Sequence, residues 1–145
     1  MTEAFENNRV ILYYNGAISA LTLFVQHANG CVCAPSPLPL LSSALESEEL
    51  EHDVVSTHPA AVVQAVGTAL DLPTHLLKAE AGYRERIETP GGIITVYLAR
   101  FDLLDPPHQL VESKGCQFRT LTQLRGQSPT EMELLRRAYA FIMES

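Results

Sequence analysis

The charged residues best spaced to do chemistry lie between Tyr83 and Arg100. The run Tyr83-Arg84-Glu85-Arg86-Ile87-Glu88 alternates in type, and Tyr97 and Arg100 follow it closely in the chain. On an extended strand, successive side chains point to opposite faces. Arg84, Arg86 and Glu88 then share one face, while Tyr83, Glu85 and Ile87 share the other. Two guanidiniums on one face suit an anionic small molecule, because each offers a planar fork of donors to a carboxylate or phosphate. Arg84, Arg86, Glu88, Tyr97 and Arg100 are therefore the candidate ligand-binding residues. The competing reading is an exposed strand whose charges protect an edge from pairing with another chain.

A second group is the acidic run Glu46, Glu48, Glu49, Glu51 and Asp53, with His52 among them. Mg²⁺ prefers oxygen ligands, so these carboxylates are the candidate metal ligands if the protein is a hydrolase. Their close spacing has no diagnostic geometry, and a solvated acidic loop is the simpler reading. Cys31 and Cys33 point to one strand face, and Cys116 could approach them. Zinc would need a fourth ligand. Buried thiols packing as small hydrophobes are the simpler reading, and whether the three meet stays open. His27, His52, His58, His75 and His108 show no paired spacing. His58, just before Pro59, reads as a helix-start residue and not as a general base. Ser42 and Ser43 have no nearby base. The chain has no Gly-x-Ser-x-Gly elbow, glycine-rich phosphate loop or dinucleotide fingerprint. No catalytic residue is assigned.

The elements that must position these residues follow from turn and periodicity signals. Arg9 to Tyr14 is a short strand, Asn15-Gly16 a turn, and Ala17 to His27 a central strand. Asn29-Gly30 turns into Cys31-Val32-Cys33, so the first third reads as an antiparallel meander. Pro35, Pro37 and Pro39 stop the ladder, since proline has no N–H to donate. Leu38 to Leu50 is read as a short helix that frays at its acidic end, which opposes the helix dipole. Thr57 caps a helix with Pro59 in its first turn, ending near Leu70 before Asp71-Leu72-Pro73. Lys78 to Glu88 and Ile93 to Phe101 form a hairpin around Thr89-Pro90-Gly91-Gly92. On its second strand Ile94, Val96 and Leu98 face one way, and Ile93, Thr95, Tyr97 and Ala99 the other. Asp105-Pro106-Pro107 breaks the chain, and Gln117 to Leu121 is a final short strand. Ser128-Pro129-Thr130-Glu131 is a capping box opening a helix to about Met143. Met132, Leu135, Ala138, Tyr139 and Ile142 form its apolar face, with Arg136 and Arg137 outside.

Composition bounds the function. At 145 residues with 46% hydrophobic and 19% charged side chains, the chain suits one domain spanning 1–145. A net charge of −7 and the lack of a basic run argue against nucleic acid as a partner. The acidic N-terminus lacks a signal-peptide core, and no stretch of 18 apolar residues would span a membrane. Three cysteines without secretory features fit a cytoplasmic protein.

The order of elements is α/β with a mixed sheet, and it resembles a Nudix domain over most of the chain. The resemblance rests on Ala60 to Pro73, on Gly82-Tyr83-Arg84-Glu85-Arg86-Ile87-Glu88 and on Ile94 to Phe101. The close resembles that family too, in Phe118 to Leu124 and in Leu134-Leu135-Arg136-Arg137-Ala138-Tyr139. It implies an α/β/α sandwich. The family's hydrolytic motif holds divalent metal with glutamates on a helix. With Ala61 to Leu70 as that helix, Val62 and Val63 stand in the Arg-Glu places and Val66 and Gly67 in the Glu-Glu places. Ala69 stands in the closing glycine place, and only Leu70 fits its own. Upstream, Glu48 and Val54 fall where a glycine and a first glutamate belong. From Pro59 to Leu70 there is no charged side chain. The implied molecule is a non-hydrolytic Nudix-like binding or structural protein needing no cofactor. A homodimer burying part of the meander or hairpin, or an anionic small-molecule ligand, would suit it. The alternative is an unconventional Mg²⁺-dependent hydrolase of nucleoside diphosphate derivatives, with ligands from Glu46 to Asp53 and Arg84 or Arg86 on the phosphates.

Overall fold

The computed structural model describes residues 7–16, 21–45 and 58–144. The acidic run Glu46, Glu48, Glu49, Glu51 and Asp53, with His52, Val54 and Thr57, lies outside them. Among the described residues, seven strands form a sheet: β1 (Asn8–Asn15), β2 (Thr22–Gln26), β3 (Cys33–Ala34), β4 (Ser43–Ala44), β5 (Leu77–Thr89), β6 (Gly92–Phe101) and β7 (Gln117–Arg119). The α-helices of the described residues are α1 (Pro59–Ala69), α2 (His108–Ser113) and α3 (Pro129–Glu144). No helix among the described residues is long and apolar enough to cross a membrane.

The sheet order is β4-β5-β6-β1-β2-β7, with β3 also on β1. β1 runs parallel to β6 and antiparallel to β2, so the sheet is mixed. The central position of β1 follows from its composition: Val10, Ile11, Leu12, Tyr13 and Tyr14 are all buried, on both faces. The expected meander is partly realised. β2 pairs the far end of β1 through Tyr13 and Phe24, but β3 returns to β1 and not to β2, setting Val10 opposite Ala34. The free edge of β2 is taken by β7. A hydrophobic run says that a strand is buried and cannot say which neighbour it chooses.

Helices pack on both faces. On one, Val62, Val63 and Val66 of α1 and Val111 of α2 meet Val10, Leu12, Tyr97, Ala99 and Phe101. On the other, Leu134, Leu135, Ala138 and Ile142 of α3 meet Ile11, Tyr13, Ile87, Ile94, Val96 and Leu98. The alternation expected for β6 is thus realised. The apolar face of α3 turns slightly from expectation, since Leu134 is fully buried and Tyr139 is 39% exposed.

Helix ends are set by local chemistry. α1 starts at Pro59 as expected, but its cap is His58, whose Nδ1 accepts from Ala60 N at 3.1 Å. At α3 the Ser128 Oγ accepts from Glu131 N at 3.2 Å. The Glu131 carboxylate accepts from Val32 N at 3.4 Å and Gln127 Nε2 at 2.7 Å, tying the helix start to the β3 approach. The helix expected over Leu38 to Leu50 is absent from its described part, where Ser43–Ala44 pairs Glu88 and Ile87 as β4. The prolines before it and the positive φ of 64° at Leu41 oppose a helix there. α2 has no counterpart in the sequence reading, because Asp105-Pro106-Pro107 registers only as a break.

Candidate functional site

The hairpin is positioned by a break in its own regularity. Ala79 stands opposite Ala99 and Arg84 opposite Tyr97, so five steps along β5 match two along β6. The extra residues form a bulge, and the alternation of β5 changes phase across it. Beyond the bulge, Tyr83 and Ile87 are buried toward α3. Gly82 permits this turn of the chain, since a Cβ there would sit 2.8 Å from Phe141 Cε1. The Tyr83 hydroxyl donates to Leu134 O at 3.0 Å.

Arg84, Arg86 and Glu88 are therefore turned to the α1 side, as the alternation predicts. Arg84 stands opposite Tyr97, and Arg86 opposite Thr95. β1 extends both rows, with Val10 beside Tyr97 and Asn8 beside Thr95. Asn8, Thr95 and Tyr97 are buried, the two arginines are half-buried, and Glu88 is exposed at the hairpin end. Alternate strand positions put the two guanidinium stems about 7 Å apart. Burial lowers the Arg86 pKa, and nearby Tyr97 partly opposes this. The Arg84 Nε is buried and finds no hydrogen-bond partner among the described residues. A buried cationic donor in that state favours an acceptor anion.

Arg100 does not join this face. It lies toward α3, 3.9 Å from Glu80 and 3.8 Å from Asp102. The Tyr13 hydroxyl donates to the same Glu80 carboxylate, and burial, then Glu80, push its pKa upward. The hairpin residues thus divide between the two faces, with Arg84, Arg86, Glu88 and Tyr97 on one and Arg100 on the other.

Sequence reasoning missed the role of Arg137. Its Nη1 donates to Glu85 at 2.6 Å and to Leu45 O at 2.9 Å, and its Nε donates to Glu133 at 2.8 Å. The four-residue spacing of Glu133 and Arg137 was visible. The long-range partner Glu85 was not.

The three cysteines do not converge. Cys33 lies in the α3-side core and Cys116 in the α1-side core. All three are buried free thiols whose pKa values are raised by burial. His108 packs edge-on against Phe118, with ring centroids 5.3 Å apart, and His27 lies 3.5 Å from Cys116 Sγ. Among the described residues, no group of three or more His, Cys, Asp or Glu side chains is placed to hold a metal ion.

The inner face of α1 is closed by packing. Val62, Val63, Val66 and Gly67 are buried, and a Cβ on Gly67 would meet Thr74 Cγ2 at 3.1 Å and Leu77 Cδ1 at 3.2 Å. Ala60, Ala61, Gln64 and Thr68 form the exposed side. Compared with known proteins, the chain matches no family model, and no match is found among curated proteins. What is established is a mixed α/β fold that presents two arginines on one sheet face.

Proposed function

We propose that the protein is a non-hydrolytic, Nudix-like α/β/α binding domain whose ligand is an anionic small molecule. Arg84 and Arg86 hold the anion, and Tyr97 forms the floor of the site. The observation that carries this reading is the pair of half-buried guanidiniums on one sheet face, one with its Nε buried and unmatched. The valines on the inner face of α1 support the non-hydrolytic part. They occupy the places where the family resemblance would put metal-binding carboxylates, and they are consumed by the core.

The test is calorimetric titration with inorganic phosphate, pyrophosphate, a nucleoside diphosphate and a dicarboxylate, each with and without Mg²⁺. Saturable binding without turnover, lost in Arg84→Met/Arg86→Met, is the expected result. Turnover of the phosphoanhydrides that disappears on changing Glu48, Glu49 and Glu51 to Gln would overturn the reading. It would assign hydrolysis to the acidic segment.

A further inference from the structure

The arginine face of the hairpin is built from two matching pairs. Arg84 stands opposite Tyr97 and Arg86 opposite Thr95, so each guanidinium has a hydroxyl residue across the strand pair. Tyr97 and Thr95 are buried residues, but neither hydroxyl is bonded or closed to solvent among the described residues. The half-buried Arg84 has its Nε closed off, which leaves Nη1 and Nη2 as the donors that a ligand can reach. Arg86 is half-buried and also interacts within the chain. The row has two ends. Toward the bulge, the regular pairing stops at Arg84. Toward the hairpin tip, the exposed Glu88 follows Arg86 on the same face, so a third anionic group there would meet a like charge. The helix on this face, α1, offers no amide to an anion at its start. Ala60 N is taken by His58 Nδ1 at 3.1 Å, and Ala61 N and Val62 N by His58 O at 3.0 and 3.2 Å.

Resting on the anion-binding reading, we infer that the ligand of this face is a dicarboxylate, with one carboxylate on Arg84 and Tyr97 and the other on Arg86 and Thr95. Each head meets one guanidinium and one hydroxyl. That set matches the single charge and two oxygens of a carboxylate. It falls short of a phosphate group, which carries more charge and a third oxygen. Pairs on alternate strand positions lie about 7 Å apart. The carboxyl carbons of extended adipate and pimelate lie close to that separation, and those of succinate fall well short of it. A second head on the same molecule binds as an intramolecular event, so a diacid of the right length gains over a single carboxylate.

The probes are acetate, the series succinate, glutarate, adipate and pimelate, and pyrophosphate, each titrated into the full chain at one ionic strength. Binding is read from the Thr95 methyl and Tyr97 ring resonances. Wild type is expected to bind adipate or pimelate about tenfold tighter than acetate, with succinate weaker than either. Arg86→Met is expected to bring the best diacid within about threefold of acetate, while acetate itself still binds at Arg84. Thr95→Val, close in shape, is expected to weaken the best diacid about fivefold, the effect of one hydrogen bond. No binding of any probe would overturn the anion-binding reading and the dicarboxylate with it. Equal affinity for acetate and every diacid would leave that reading standing and overturn the dicarboxylate. So would pyrophosphate binding tighter than the best diacid, or a diacid preference unchanged in both variants.

Discussion

On the α3 side of the sheet, Arg137 meets Glu85 and Glu133, Arg100 meets Glu80 and Asp102, and Glu131 accepts from Val32 and Gln127. On the α1 side, Arg84 has no ion pair among the described residues, and His27 leaves a buried nitrogen unmatched. Both faces bury similar apolar side chains, and they differ in how polar groups are answered. The α3 face uses its charges to lock a helix and two strands together. The α1 face pairs Lys114 with Asp71 but leaves Arg84 Nε and His27 Nε2 without a hydrogen bond among the described residues, and on the α3 face Arg100 Nε, within ion-pair reach of Glu80, makes no hydrogen bond either. Buried polar groups in native proteins are nearly always matched, so the unmatched Arg84 Nε is the group on which the proposed anion site is tested.

The largest expected effect comes from placing a charge in the valine layer. Val66→Glu puts a carboxylate at a fully buried position. It is expected to cost about 3–5 kcal/mol and to leave the protein inactive toward phosphoanhydrides. Chemical denaturation and a Mg²⁺-dependent phosphate-release assay check the two halves. A stable variant that hydrolyses would mean that the helix is a site awaiting its carboxylate.

Next in size is the acid sensitivity of the α1 face. His27 titrates at about 4 in the fold against 6.5 in the unfolded chain. Between those values the unfolded state binds more protons, so stability rises with pH. This contribution is complete above about pH 6.5 and is lost as pH falls toward 4. The loss is on the order of 2–3 kcal/mol and should be missing from His27→Phe. Denaturation of both proteins at pH 7, 5.5 and 4.5 isolates it, because groups such as Glu131 are common to both.

Smaller again is Arg137→Met. Arg137 and Glu85 are each about one-fifth exposed, so the ion pair is partly shielded from solvent. Its loss is expected to cost about 1–2 kcal/mol and to leave anion binding unchanged. The smallest effect on stability belongs to Arg84→Met. Removing a buried donor that lacks a partner should change stability by no more than about 0.5 kcal/mol, while abolishing anion binding. If Arg84→Met costs as much as Arg137→Met, the two faces are not different in kind. Arg84 would then be a structural cation.

Much of this architecture is legible in the residues. The alternation of β6, the Asn29-Gly30 and Gly91-Gly92 turns, the Pro59 helix start and the Ser128 cap all follow from local rules. So does the shared face of Arg84, Arg86 and Glu88, because period-two geometry needs no knowledge of the partner strand. Legibility stopped where a residue's role depended on a distant segment. Leu38-Pro39-Leu40-Leu41 followed by small residues reads as a short helix, but β4 forms because the β5 edge was free to accept Ser43 and Ala44. Arg137 reads as a solvent-facing helix residue until Glu85 arrives from the hairpin.

The sequence by itself determined which stretches are extended or helical, and which side chains along each share a face. Those properties depend on bond rotation and on spacing along one element. Only the tertiary structure decided that the phase of β5 changes at its bulge, that Arg100 leaves the arginine face, and that Cys116 finds His27 and not Cys33. It also decided that α1 spends its valines on the core. Strand pairing and helix docking join residues far apart in the chain, through packing that is non-directional and apolar. No local pattern encodes which of several compatible surfaces meets which.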